Sequence, residues 1–315
     1  MARTISYREA IDEALAQEMA RDASVIVLGE GVTTGLFQRF PGQVLDTPSA
    51  ESAFVGAAIG AATRGQRPVA ELGSVGACFD QIFNQAAKFR YVFGGNARTP
   101  VVIRTVYGAG LRAAAERSQC LYPIFTHVPG LKVVVPSSPY EAKGLLVQSI
   151  RDDDPVIFCE HKALYGTSGD VPEESYAIPF GEANVVREGG DVTVVAIGRM
   201  VAMAGGAARE LAASGIEAEV IDPRTTSPLD TGTILESVRK TGRLVVVDEA
   251  SPRCNLATDI SALVAKEAFG SLRAPIEMVT PPHTPVPFSD ALEDLYIPDA
   301  QKVLNAAKAV VAYRR

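Results

Sequence analysis

The sequence has no tryptophan, and its 315 residues include only three histidines and four cysteines. His127, His161 and His283 stand apart from one another and do not pair at short spacing with Asp, Glu or Cys, which argues against a resident metal centre. Cys78, Cys120, Cys159 and Cys254 are too scattered for a disulfide framework or a thiolate metal site. Reduced thiols of a cytoplasmic protein are the expectation. No apolar run is long enough to cross a bilayer, and the amphipathic N-terminus does not read as a signal peptide. Positive charge is not in excess: 30 Lys+Arg face 37 Asp+Glu, for a net charge of −7. That balance speaks against nucleic acid or an anionic membrane as partner. A complete phosphate loop is missing too. Gly108-Ala109-Gly110 follows a strand pattern but lacks both the third fingerprint glycine and a P-loop lysine. A diphosphate-bearing cofactor would therefore need its phosphates held by another chain. No serine sits in a nucleophile elbow, so hydrolase chemistry has no support.

Hydrophobic residues make up 47% of the chain and charged ones 21%, as in a globular protein of a length that suits two domains. Apolar, β-branched-rich runs at 24–29, 68–72, 100–104, 132–136 and 155–160 predict strands buried on both faces. Helical spacing at 7–20, 53–65, 79–91, 122–127 and 139–153 alternates with them. That order predicts a parallel sheet with right-handed crossovers. A Gly-, Pro- and acid-rich stretch follows, and a second α/β series begins: strands at 192–197, 218–221, 243–248 and 275–279, helices at 201–214, 230–240, 256–269 and 299–312. The expected fold class is α/β with two doubly wound domains, at 1–165 and 183–315, joined by a linker at 166–182.

One carboxylate has an unusual address. In Asp46-Thr47-Pro48-Ser49-Ala50-Glu51-Ser52, Pro48 stops a strand and the Ser/Glu pair opens a small-residue helix. Glu51 is thereby put at a strand-to-helix junction, the edge where open α/β sheets bind ligands. On the local motif alone, an acid favoured by the helix dipole is the more ordinary reading.

Longer segments decide between these readings. DTPSAESAFVGAAIGAATRGQRPVAEL, FDQIFNQAAKFRYVFGGNARTPVVIRTVYGAGLRAAAERSQ and HVPGLKVVVPSSPYEAKGLLVQSIRDDDPVIFCEHKALYG, with VIDPRTTSPLD, TGRLVVVDEA and PHTPVPFSDALEDLYIP in the second half, resemble the β subunits of thiamine-diphosphate-dependent 2-oxo acid dehydrogenases, and among them those of acetoin dehydrogenases. The resemblance covers nearly the whole chain. It implies a pyrimidine-binding transketolase-like domain followed by a transketolase C-terminal domain. It also implies an α subunit that holds the diphosphate and Mg2+, an αβ pair dimerised into a heterotetramer, and a lipoyl-bearing acyltransferase as a further partner. Glu51 aligns with the family's catalytic glutamate, which hydrogen-bonds N1′ of the aminopyrimidine and so promotes proton removal from the thiazolium carbon. Such proton sharing calls for a carboxyl shielded from water. Leu72, Gly73 and Phe79 fall where the resemblance puts the wall of the pyrimidine pocket. Ser149, Ile150, Asp152 and Asp154 match a structural K+ loop, for which a solvated acidic helix end is an equal alternative.

Three departures lie on the cofactor side. The turn after Gly29-Glu30-Gly31 is short, Gly73-Ser74-Val75-Gly76-Ala77 replaces a longer aromatic stretch, and Arg117 stands where the family has a histidine implicated in acyl transfer to a lipoyl group. Arginine cannot shuttle protons near neutral pH but offers a fixed, planar charge. The expected function is a thiamine-diphosphate enzyme subunit that cleaves a C–C bond next to a carbonyl of a 2-oxo acid or acetoin, with Glu51 and Arg117 as its catalytic residues. The alternatives are a carboligase or lyase variant without lipoamide acylation, a catalytically silent partner or scaffold, and a chain whose loops were trimmed by design.

Overall fold

The computed structural model of the chain describes residues 2–31 and 34–314, so the short turn at 32–33 lies outside the described residues. Two compact units are present: residues up to Tyr107 together with Ile124–Phe180, and Gly108–Pro123 together with the residues from Gly181 onward. The segment Gly108–Pro123, which the sequence patterning assigns to the first half, thus groups with the second.

In the first unit a parallel sheet runs in the order Lys132–Val134, Val156–His161, Val102–Tyr107, Arg67–Leu72, Val25–Gly29, Val44–Asp46. The β-branched runs supply its strands because their stiff side chains pack on a pleated surface covered from both sides. Val27, Val69, Val102 and Val156 follow one another across the sheet in register, all buried. Helix Tyr7–Arg21 begins at a Ser6/Glu9 capping box and packs against helix Pro139–Arg151, whose N-terminus is fixed by Ser138 and by Pro139 in its first turn. Between them Glu18, fully buried, accepts from Arg151 at 2.6 and 2.9 Å and from Arg21 at 2.8 Å. Leu145, Leu146, Val147 and Ile150 disappear from solvent altogether, each contributing about 1.5–3 kcal/mol by burial.

Three expectations need correction here. The single helix expected at 79–91 is instead a 3-10 turn Val75–Cys78, a π-helical turn Gln81–Ala86 and a short helix Phe89–Val92. The close approach at Gly130, where a Cβ would stand 2.0 Å from the Ala87 carbonyl oxygen, ties down the end of the π-helical turn. The stretch 166–182 is not bare linker, because Ser168–Pro172 pairs antiparallel with Ala2–Ser6. Ser49 does not cap the helix Glu51–Thr63, whose N-cap is Ala50 with no side-chain hydrogen bond.

The second unit has the sheet order Glu277–Val279, Leu244–Val247, Val192–Ala196, Ala218–Asp222, Asn184–Arg187, parallel except for the last strand. Helices Met200–Ala213 and Ala300–Ala312 bury alanine-rich faces on it, and helix Thr231–Thr241 ends at Gly242 with φ +71°. Buried Asp248 accepts from the Tyr122 hydroxyl and from the backbone N–H groups of Ala250 and Leu256 at 2.9 and 3.1 Å. Burial pushes its carboxyl above the ordinary range, against those donors.

Candidate active site

Glu51 opens its helix at the carboxyl edge of the first unit's sheet, where a cavity of about 240 Å³ is lined by Glu51, Leu72, Gly73, Glu30, Glu71, Arg104, Thr105, Glu160 and Tyr165, with Arg8 and Asp12 on the facing helix. A parallel sheet puts all its strand C-termini on one edge, so residues far apart in sequence converge there. Three of the expected site residues are brought together: Glu51, half-buried at the helix start, with Leu72 and Gly73 at the end of strand Arg67–Leu72.

The cavity floor is an ion network, buried at Arg104 and Glu160 and partly exposed at Glu71. Arg104 donates from Nε to Glu160 Oε1 at 2.6 Å, from Nη2 to Glu160 Oε2 at 3.0 Å and from Nη1 to Glu71 Oε2 at 2.9 Å. The Tyr165 hydroxyl donates to Glu160 Oε2 at 2.9 Å. Burial raises the Tyr165 phenol, and the Glu160 carboxylate raises it further. Burial also raises the Asp12 carboxyl, although Arg104 and Arg8 draw it down. The Cys78 thiol is pushed up to about 11, by burial and then by the Glu51 carboxylate beside it. The sequence reading misses Arg104, Glu71, Glu160 and Asp12. The signal was there for the first three, since a charge inside a run buried on both faces must find a partner.

Phe79 does not line the cavity. Its ring stacks on Phe83 at 5.0 Å and meets Phe125 edge-on at 6.1 Å, filling an aromatic cluster instead. Arg117 lies on the short helix Ala114–Ser118 of the second unit.

The Ser149–Asp154 loop offers few open oxygens. Ser149 Oγ donates back to Leu145 O at 2.7 Å, and Arg67 Nη1 donates to the Ile150 and Asp152 carbonyls at 3.1 and 2.8 Å. Lys132 Nζ holds both Asp152 carboxylate oxygens at 2.6 and 2.7 Å, and Arg90 pairs with Asp154. A potassium ion here would sit among the positive charges of Arg67, Lys132 and Arg90, so the donor set does not suit one.

Comparison with known proteins gives these features a setting. The model "Transketolase, pyrimidine binding domain" matches residues 3–167, and "Transketolase, C-terminal domain" matches residues 181–303. The chain is therefore built from the two domains of the transketolase class. The "Acetoin:2,6-dichlorophenolindophenol oxidoreductase subunit beta" of Cupriavidus necator is 63% identical, with 98% of each chain covered. The "Pyruvate dehydrogenase E1 component subunit beta" of Rickettsia felis is 46% identical over 98% of this chain and 99% of that one. The chain belongs to the family of β subunits of acetoin and pyruvate dehydrogenases. A solved "Split gene transketolase, inactive beta4 tetramer" superposes with TM-score 0.83 at 25% identity, covering 99% of both chains. The alignment with the Cupriavidus protein runs over 330 positions, more than the 315 residues present here, so some of its residues have no counterpart in this chain.

Proposed function

We propose that this β chain acts with an α partner on a 2-oxo acid or acetoin, breaking the C–C bond beside the carbonyl with thiamine diphosphate, and that Glu51 is the group that activates the cofactor. The observation that carries this reading is the convergence of Glu51, Leu72 and Gly73 on one cavity at the carboxyl edge of the sheet. When bound, thiamine diphosphate supplies the electron sink for cleavage next to a carbonyl. Glu51 would hold a proton between its carboxylate and N1′ of the aminopyrimidine, and Leu72 would cover one side of the ring. The Arg104 network beneath fixes the floor. Neither half has a complete phosphate loop, so the diphosphate and its Mg2+ fall to the α chain. The exposed small-residue face of helix Glu51–Thr63, including Ala53, Gly56, Ala57 and Gly60, suits close packing against another subunit. An αβ pair dimerised into a heterotetramer in the cytoplasm follows from this reading.

Arg117 replaces acid/base chemistry with a fixed charge, which favours release or carboligation of the aldehyde-level unit over its oxidative transfer to lipoamide, the dye serving in the assay below as the two-electron oxidant. The test is acetoin-dependent reduction of 2,6-dichlorophenolindophenol by the reconstituted αβ enzyme, with reduction of lipoamide assayed in parallel. Dye reduction without lipoamide acylation is expected, and efficient lipoamide acylation overturns this part. A second reading, a silent partner subunit, is favoured by one observation: Phe79 is spent on the Phe83/Phe125 cluster, not on the cavity wall. Absence of any turnover with a competent α chain would favour it.

A further inference from the structure

The turn that follows strand Val102–Tyr107 is strained. Gly108 and Gly110 have φ of +96° and +102°, and two non-glycine residues close behind, Arg112 and Ala114, have φ of +55° and +61°. Side-chain-bearing residues avoid that region, and several within seven positions persist only where surrounding contacts over-determine them. Two buried carboxylates supply such contacts to residues 109–112. Glu249 Oε1 accepts from the Ala109 N–H at 2.7 Å. Glu293, fully buried, accepts from the Gly110 N–H at 2.8 Å and the Arg112 N–H at 3.2 Å, and from the Arg112 guanidinium. Arg199 Nη1 donates to the Ala109 carbonyl at 3.1 Å, and a Cβ at Gly110 would stand 2.8 Å from that nitrogen. Hydrogen bonds from amides to a buried carboxylate are charge-assisted and directional, so the backbone is fixed and not merely packed. The strained turn leads directly into helix Ala114–Ser118, which carries Arg117.

We infer that Glu249 and Glu293 are positioning residues that aim Arg117 by clamping the turn Gly108–Arg112. This rests on the reading of Arg117 as a functional residue. The clamp explains how a segment leaving a strand of the first unit is held as part of the second. It also accounts for the burial of two carboxylates remote in sequence from Arg117.

The test is a double-mutant cycle in the αβ holoenzyme, with acetoin and 2,6-dichlorophenolindophenol as probe. Glu293→Gln is expected to lower kcat by a factor on the order of ten to a hundred while leaving KM unchanged, as displacement of an aimed group does. In the Arg117→Ala background the same change should have no further effect, because the group it aims is gone. Additive effects overturn the inference and leave the reading of Arg117 intact. An Arg117→Ala enzyme with full activity overturns both. Should Glu293→Gln fail to fold, amide exchange in the wild-type chain decides: Ala109 and Gly110 are expected to exchange as slowly as strand Val102–Tyr107, and rapid exchange there contradicts the clamp.

Discussion

Arg104 and Glu160 meet through two hydrogen bonds on neighbouring parallel strands, both side chains buried, and the one remaining guanidinium nitrogen that bonds reaches Glu71. Charge in such a place is stable only while every partner is present. The pair therefore acts as a rivet between strands under the cavity that holds Glu51.

Removing one partner should show this. Arg104→Leu leaves Glu160 without its counter-charge and is expected to destabilise the chain by about 3–5 kcal/mol in urea unfolding. The double change Arg104→Met with Glu160→Leu should cost much less. Equal losses in the single and double variants would contradict the rivet.

Glu293 sets a pH dependence. Burial alone would raise its carboxyl, but the Gly110 N–H and Arg112 outweigh burial and hold it below the ordinary value of 4.5. Glu18 is depressed likewise: Arg151 and Arg21 overcome its burial. A depressed folded-state value gives stability that is present in full above the unfolded value and lost as pH falls through the folded one. Urea midpoints should be level above the ordinary carboxyl value of 4.5 and drop as pH falls below it. In a Glu293→Gln chain the drop should be smaller, and an unchanged drop would exclude Glu293 as a source.

Gly130 has φ +98° and its Cβ position lies 2.0 Å from the Ala87 carbonyl oxygen. Gly130→Ala must both strain the backbone and push the π-helical turn Gln81–Ala86 away. A loss of about 2–4 kcal/mol is expected by thermal or urea unfolding. A variant of wild-type stability would show that the turn yields freely.

Much of this was readable beforehand, for physical reasons. Runs such as Val25-Ile26-Val27-Leu28 and Val192-Thr193-Val194-Val195 mark buried strands because short runs rich in β-branched residues pack best on a pleated surface covered from both sides. The place of Glu51 at the carboxyl edge of the sheet was legible from its strand-to-helix junction. Strands Ala2–Ser6 and Asn184–Arg187 were not, since each is defined by a partner far along the chain and neither is buried enough to leave an apolar pattern. The break in the helix expected at 79–91 was hidden too: Phe79, Phe83 and Phe125 form their cluster only after folding. Arg104, Glu71 and Glu160 were visible as charges inside strands, but their pairing depends on strand order.

The Ser149–Asp154 loop yields a prediction about salt. Because Arg67 and Lys132 already occupy its oxygens, the melting temperature should be the same in potassium chloride and in choline chloride of equal ionic strength. A potassium-specific rise, or a thallium peak at the Ile150 and Asp152 carbonyls, would contradict that occupancy.

On the proposed function, Glu51 makes this chain a cofactor-activating subunit. The direct measurement is titration of thiamine diphosphate and Mg2+ into the chain mixed with its α partner, followed by circular dichroism of the bound cofactor, in the wild type and in Glu51→Gln. Saturable binding to the wild-type complex is expected, with a cofactor band that is lost in a Glu51→Gln chain that still folds and assembles. No binding to the wild-type complex, or a band indifferent to Glu51, would contradict it.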